Sequence, residues 1–149
     1  MTVPSSVREY EIRARTTDVF GRVMCSARDH HFIVDGPVQN GCPGEEVTPA
    51  EVFLSGVAAC GIELVEVIAR DEGVALARIR LTINGTVDRG NQARSDVTVF
   101  NSVRLHFTIG GVDAARAQAL VDGFKRRCPL YGTVSVAIPD VKVEVSVEP

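Results

Sequence analysis

The stretch from Thr48 to Gly73 constrains the fold of this chain more than any other part of the sequence. Thr48 is a favourable N-cap, Pro49 suits the first helical position, and Glu51 completes a Thr-x-x-Glu capping box. Gly73 is typical of the residue that follows a helix end. We therefore predict a helix from Thr48 to Glu72, on the order of 36 Å long.

The first half of this helix, residues 52–62, carries no charged side chain. A helix that is apolar on all its faces has to be covered by other protein. The chain has 149 residues, which we interpret as one domain over 1–149. So small a domain predicts a central position for the helix, shared with a second subunit.

Alternating apolar and polar residues predict strands on both sides of the helix. Three strands are expected before it, over residues 7–15, 19–27 and 31–34, followed by a loop rich in Gly and Pro. Two are expected after it, over 79–87 and 97–109, with a turn at 91–96. A second helix should begin near Asp113 and end near Pro129, and a last strand should cover 141–147. This order is typical of an α+β domain.

Composition and charge exclude several classes of function. The formal net charge of −3 argues against a nucleic-acid partner, which would require a basic excess. No apolar run is expected to span a membrane. Residues 1–10 lack the basic and apolar regions of a signal peptide. We therefore expect a cytoplasmic protein with no membrane or nucleic-acid partner.

Cys60 and Cys128 each lie in a distinctive local sequence. Cys60 follows Ala58-Ala59 within the long helix, and Cys128 stands between Arg127 and Pro129. Neither belongs to a CxxC motif, and structural disulfides are rare in cytoplasmic proteins. We interpret the two cysteines as a redox pair that only folding brings together.

These local sequences resemble those of the OsmC/Ohr family of organic hydroperoxide reductases. The resemblance covers nearly the whole chain and rests on the Thr-Pro-x-Glu helix start, Ala58-Ala59-Cys60 and Arg127-Cys128-Pro129. The acid at Glu51, one position later than in the Ohr and OsmC branches, and Asp35-Gly36-Pro37 are similar to a third branch. The resemblance implies an intertwined homodimer with two central helices and two sites at the interface. It also implies hydroperoxide reduction by two cysteines, which a dihydrolipoyl-type dithiol recycles without a cofactor or metal.

Cys60 is the candidate for the reactive thiol and needs a nearby cation. It lies in mid-helix among uncharged neighbours, where burial raises the pKa of a thiol. A guanidinium about 4 Å away, at an effective dielectric near 20, supplies about 4 kcal/mol, enough to lower a pKa by two to three units. Arg22 is the nearest match for the arginine of the family, and Arg15 is the second. Glu51 either holds that guanidinium or serves only as a helix cap.

Cys128 is the candidate for the resolving thiol. It lies at the predicted end of the second helix, where the helix dipole disfavours a thiolate. In the predicted reaction, the Cys60 thiolate becomes a sulfenic acid, Cys128 condenses with it to a disulfide, and a dithiol restores both thiols.

Two alternatives to this reaction remain open. The chain could be a catalytically weak family member that binds a small apolar ligand between subunits, or a thiol redox sensor. Cys25 and Cys42 with His30 and His31 could be imagined as a zinc site, although their spacing fits no standard zinc pattern.

Overall fold

The computed structural model describes residues 6–149 and confirms an α+β fold. Three strands come first, then a long helix, two strands, two shorter helices and a final strand. The elements are β1 (Arg13–Thr16), β2 (Arg22–Ala27), β3 (His30–Asp35), a 3₁₀ turn (Val38–Asn40), α1 (Pro49–Asp71), β4 (Arg78–Thr86), β5 (Ser102–Gly110), α2 (Ala114–Arg127), α3 (Pro129–Ala137) and β6 (Asp140–Glu148).

The N-terminal unit of the chain, which ends at Val52, contains an antiparallel sheet in the order β1-β2-β3. The predicted strand over residues 7–15 is wrong for 7–12, since β1 begins at Arg13. Tyr10 and Ile12 alternate with charged residues but are 85% and 59% exposed. Alternation predicts a strand only where one face is covered, and these side chains are not covered within the subunit.

The C-terminal unit, which begins at Phe53, contains a sheet in the order β4-β5-β6. β4 is antiparallel to β5, whereas β6 is parallel to it, so the chain crosses over through α2 and α3. The central strand β5 buries alternate residues, Val103, Leu105, Phe107 and Ile109. Val97 and Val99, predicted as part of this strand, lie in the preceding loop instead.

The core of the C-terminal unit combines α1, α2 and one face of this sheet. The rings of Phe107 on β5 and Phe124 on α2 meet edge to face, with centroids 5.4 Å apart. Gly61 of α1 lies very close to the sheet. A Cβ atom at this position would lie 2.9 Å from Leu81 Cδ2 and 3.0 Å from Phe107 Cζ.

Helix α1 begins and ends where its capping residues predict. The Thr48 backbone N–H donates to Glu51 Oε2 at 3.2 Å, which is one half of the capping box. At the other end Gly73 has a φ of 68°, and the Val74 N–H donates to the Ala69 carbonyl at 2.8 Å. This pattern is a Schellman motif, which satisfies carbonyls that the last turn leaves unpaired.

Helix α1 corrects the expectation that no apolar run in the chain is long enough to span a membrane. Within residues 6–149 it alone has the length and apolar character of a membrane span, with an 18-residue window of mean hydropathy 2.0. Only 28% of that window is buried within the chain. A core helix of a soluble fold passes the same test, and the prediction that a second subunit covers α1 stays a prediction.

Helix α3 was not predicted. Pro129 was expected only to end the second helix, which does end at Arg127. The same proline occupies the first position of α3. Proline is favoured there because its missing N–H has no helical partner to lose and its φ is already helical. Cys128 therefore lies between two helices.

Candidate active site

The structure brings the sulfur atoms of Cys60 and Cys128 to 2.7 Å from each other. Cys60 is on α1 and partly exposed, whereas Cys128 is at the α2–α3 junction and only 3% exposed. Both cysteines are free thiols. A disulfide bond measures about 2.05 Å, so the sulfurs have to approach by less than about 1 Å to form one.

Packing of α2 and the start of α3 together fix the position of Cys128. Leu120, Val121 and Phe124 on α2 are fully buried, and Cys128 continues the same stripe. Its backbone N–H donates to the Phe124 carbonyl at 2.9 Å. The ring of Tyr131 packs on that of Phe124, with centroids 5.3 Å apart. The two helices therefore hold the thiol from both sides.

Cys128 has a hydrogen-bond partner that the sequence did not reveal. Its Sγ accepts a hydrogen bond from the backbone N–H of Tyr131 at 3.2 Å, as an N-cap of α3. The prediction placed Cys128 only at a helix C-terminus, where the dipole disfavours a thiolate. That description was incomplete, because the N-terminus of α3 acts on the same sulfur in the opposite sense.

The surroundings of Cys60 hold it as a neutral thiol. Burial, the hydrogen bond with the neighbouring Cys128 and the charges of Cys128 and Glu63 together raise the pKa of Cys60 to about 12. Within residues 6–149, none of the groups that cause this shift is a cation. A thiolate at Cys60 therefore requires a positive charge in addition to these groups.

Arg22, the first candidate for that charge, lies on β2 and is held by two carboxylates. Its Nε and Nη2 each donate to Asp35 at 2.8 Å, and Nη2 also donates to Glu45 at 2.9 Å. Asp35 is fully buried and accepts the backbone N–H groups of Glu45 and Glu46, both at 3.0 Å. The Arg22 guanidinium holds the pKa of Asp35 well below its usual range.

Asp35 is a site candidate that the sequence analysis missed. In the sequence it is marked only by the Asp35-Gly36-Pro37 resemblance. Its signal is the register of the hairpin, in which Arg22 and Asp35 stand directly opposite each other on β2 and β3. Opposite charges at paired positions of antiparallel strands attract. Predicted strands that began at Val19 and His31 did not give that register.

Glu51 and Arg15 are the two remaining candidates for the site. Glu51 accepts the capping hydrogen bond from the Thr48 N–H, and the guanidinium of Arg22 is held by Asp35 and Glu45. Arg15 is exposed on β1, opposite Met24. A catalytic role for Glu51 or for either arginine stays a prediction.

The four residues considered as zinc ligands are not grouped as a metal site. Among residues 6–149, no three His, Cys, Asp or Glu side chains are grouped so that they could hold a metal ion. His31 Nδ1 is 2.7 Å from Ser26 Oγ. Cys42 packs against Gly21 and Gly36, where a Cβ on either glycine would lie within 2.5 Å of its Sγ.

Apolar side chains surround the start of the helix that carries Cys60. Phe53, two turns before Cys60, is 46% exposed and stacks on Phe100 with centroids 5.7 Å apart. Leu130 is 39% exposed and lies against Gly56, with its Cδ2 3.3 Å from where a Cβ would be. These side chains offer an apolar surface suited to an alkyl or aryl group.

A family model described as OsmC-like protein matches residues 42–144. The chain belongs to the OsmC-like protein family. The matched residues include Glu51, Cys60 and Cys128, whereas Arg22 and Asp35 precede them. Among curated proteins, no sequence matches the chain.

Solved structures of the OsmC-like type share the fold. An OsmC-like protein from Mycoplasma pneumoniae is 18% identical, with a TM-score of 0.78 over 95% of this chain and 96% of that one. An organic hydroperoxide resistance protein from Elizabethkingia anophelis is 19% identical, with a TM-score of 0.79 over 97% and 100%. Another, OsmC from Legionella pneumophila, is 20% identical, with a TM-score of 0.73 over 97% and 100%. At these identities the likeness shows the fold.

Proposed function

We propose that the protein is a thiol-dependent peroxidase that reduces organic hydroperoxides to alcohols. The observation that carries this proposal is the 2.7 Å separation of the Cys60 and Cys128 sulfurs in a member of the OsmC-like family. Structural relatives described as organic hydroperoxide resistance proteins support the same chemistry. The exposed apolar side chains of Phe53 and Leu130, at the start of the helix that carries Cys60, favour an alkyl or aryl hydroperoxide over hydrogen peroxide.

In the proposed reaction the Cys60 thiolate attacks the distal oxygen of the peroxide. The O–O bond breaks, Cys60 becomes a sulfenic acid, and the alkoxide takes up a proton and leaves as the alcohol. The Cys128 sulfur then attacks the Cys60 sulfur, a disulfide forms and water leaves. An external dithiol, for which a dihydrolipoyl group is the proposed source, supplies two electrons to restore both thiols.

Arg22 is the proposed activating cation, and Asp35 is the group that holds its guanidinium in place. A change of Arg22→Met is expected to lower kcat/KM by roughly 100-fold at neutral pH, because loss of the cation raises the pKa of the attacking thiol by about two units. The rising limb of the pH profile should move to higher pH. An unchanged profile would remove Arg22 from the site, and Arg15→Met is the matched test of the second candidate.

The remaining assignments complete the proposed enzyme. We retain Glu51, at the start of α1, as a candidate carboxylate to hold the activating guanidinium. Its alternative role is to cap the helix, through the hydrogen bond from the Thr48 N–H. The working form is a homodimer in which a second subunit covers α1. It acts on small molecules in the cytoplasm, without a nucleic-acid or membrane partner.

Reduction of cumene hydroperoxide by the purified protein with dihydrolipoamide tests the proposal. Wild type should turn over, Cys60→Ser should abolish turnover, and Cys128→Ser should impair it. Cys25→Ser is the matched control, since Cys25 lies on β2 with Phe32 as its cross-strand neighbour. Loss of activity in the Cys25 variant equal to that of Cys60→Ser would count against the assigned pair.

A second candidate function is the binding of a small apolar ligand without turnover. It is favoured by the surroundings of Cys60, which raise the pKa of its thiol, and by the exposed Phe53 and Leu130. Wild type that reduces none of several hydroperoxides with any dithiol would support it. Formation of one disulfide per chain, without turnover, would instead indicate a redox sensor.

A further inference from the structure

The two sulfurs of the pair differ in their exposure to solvent. Cys128 is 3% exposed, whereas Cys60 is partly exposed. A thiol that enters from solvent therefore has better access to Cys60. Access to each sulfur is one of the factors that decide which half of a disulfide is attacked.

The second difference is the hydrogen bond to Cys128. Its Sγ accepts the backbone N–H of Tyr131 at the first turn of α3, a helix of nine residues. Cys60 lies in the middle of α1, where backbone N–H groups bond to carbonyls of the preceding turn. A negative charge that develops on Cys128 as the disulfide opens therefore meets the Tyr131 N–H, whereas the donor to Cys60 in the reduced pair is the Cys128 thiol itself, which the disulfide removes.

Other groups around the pair either favour a negative charge on Cys128 over Cys60 as well, or offset one another. Burial and Glu63 disfavour a charge on Cys60, and they raise its pKa. The C-terminal dipole of α2 opposes a thiolate at Cys128, but the last turn of α2 carries Lys125, Arg126 and Arg127, which offset it. The Tyr131 N–H also bonds directly to the sulfur, whereas the dipole of α2 acts on it from the helix end.

We propose that the external dithiol opens the Cys60–Cys128 disulfide at Cys60, and that Cys128 leaves as a thiolate held by the Tyr131 N–H. This inference rests on the proposed function, because that reaction forms the disulfide. It goes beyond it by assigning the docking position of the reductant to Cys60 and the leaving group to Cys128.

The step balances as two successive exchanges. One thiolate of the dithiol attacks Cys60 Sγ, a mixed disulfide forms there, and the bond to Cys128 breaks with its electron pair on Cys128. The second thiolate of the dithiol attacks the first, closing the disulfide of the oxidised reductant and releasing Cys60 as a thiolate. Two electrons pass from the dithiol to the protein, and the two thiol protons pass to solvent or to the released sulfurs.

A monothiol trap tests the position of attack on the full chain. The protein is oxidised with diamide, mixed briefly with 2-mercaptoethanol, and quenched with acid and N-ethylmaleimide. Peptide mass mapping then locates the mercaptoethanol adduct. At the earliest times we expect at least about a tenfold excess of adduct on Cys60 over Cys128, because the stabilised thiolate leaves faster. Equal labelling, or an excess on Cys128, would overturn the inference.

A backbone variant tests the role of the Tyr131 N–H. Tyr131→Pro removes this donor in the first turn of α3, where proline is best tolerated, and Tyr131→Ala keeps the donor but removes the ring. The proline variant should open its disulfide about threefold to tenfold more slowly than the alanine variant and lose part of the preference for Cys60. Equal rates and equal preferences in the two folded variants would contradict the assignment. If the proline variant does not fold, the position of the adduct in wild type still decides.

Diamide separates this inference from the proposed function. It forms the disulfide without a hydroperoxide, so the position of attack is measured even for a protein that turns over no peroxide. A protein that turns over peroxide but labels at Cys128 would retain its function and lose the inference. Failure of diamide to form the Cys60–Cys128 disulfide would overturn the inference as well.

Discussion

Single residues around the cysteine pair show how strongly the local setting controls thiol chemistry. Cys60 and Cys128 are neighbours, yet one lies in mid-helix and the other between two helices. Burial works against a charge at Cys60, whereas a helix N-terminus donates to Cys128. A cation that lowers the pKa of Cys60 is therefore the residue-level requirement of the proposed reaction, and Arg22 is the residue to which we assign it.

The Arg22–Asp35 pair leads to a prediction about stability at low pH. Asp35 is fully buried, and its pKa is depressed from the ordinary value of 3.8. A depressed pKa contributes stability that is present above the unfolded value and is lost as the pH falls toward the folded one. Asp35→Asn should therefore lower Tm at pH 7 by on the order of 5 °C. Its difference from wild type should shrink below about pH 4.

Thermal unfolding across the acid range checks this prediction. Asp29→Asn is the matched control, because Asp29 is an exposed carboxylate in the turn between β2 and β3. We expect this control to leave Tm close to that of wild type. A gap between Asp35→Asn and wild type that stays constant from pH 7 to pH 2 would contradict the assigned role of the carboxylate.

At the scale of elements, sequence signals predicted what depends on local chemistry. Thr48 and Gly73 gave both ends of α1, and Asp113 gave the start of α2, where its carboxylate accepts the Arg116 N–H. Pro129 was interpreted only as a helix terminator, so α3 and the hydrogen bond to Cys128 were missed. The same residue type both ends one helix and starts the next, and only the backbone path separates the two roles.

Replacement of a helical glycine by alanine is expected to destabilise the protein at one position and to stabilise it at another. Gly61→Ala should lower the free energy of unfolding by about 1–3 kcal/mol, since its Cβ would press on Leu81 and the Phe107 ring. Gly132→Ala, inside α3, meets no atom within 4 Å and should raise it by up to about 1 kcal/mol through helix propensity. Urea unfolding of both variants measures these changes.

The outcome for the two glycines separates packing from propensity. A stabilising Gly61→Ala would mean that Leu81 moves aside freely and that α1 does not lie tightly on the sheet. Because Gly61 follows Cys60 directly, the peroxidase assay of the same variant reports whether this packing also sets the position of the thiol. Activity that falls without a loss of stability would assign Gly61 to the site rather than to the core.

For the whole molecule, the fold class could be predicted from the sequence, whereas the contacts between distant segments could not. The order of strands and helices indicated α+β, and the family resemblance indicated the pairing of Cys60 with Cys128. Residues 7–12 were predicted as a strand from alternation alone, but they are exposed within one subunit. Asp35 was missed because its partner became visible only in the hairpin register. Both misses concern contacts between segments, which a local pattern cannot specify.

The apolar surface of α1 leads to the last prediction, a homodimer. Only 28% of its most apolar window is buried within one chain, so a second copy should cover much of the remainder. Ala59 is exposed on α1 next to Cys60. Ala59→Arg should therefore weaken the dimer, because a charge buried without a partner is strongly disfavoured at an interface.

Light scattering after size-exclusion chromatography checks the assembly. Wild type should elute at twice the 16.0 kDa mass of the chain, and Ala59→Arg should shift the population toward a single chain or raise its dissociation constant by at least about tenfold. Ala119→Arg, at an exposed position of α2, is the matched control and should leave the mass unchanged. A monomeric wild type, or equal masses for both arginine variants, would contradict a dimer built on α1. Arg22, the assigned cation, is not among the described groups that shift the pKa of Cys60. If assembly brings that cation to the thiol, the dissociated variant should also lose peroxidase activity.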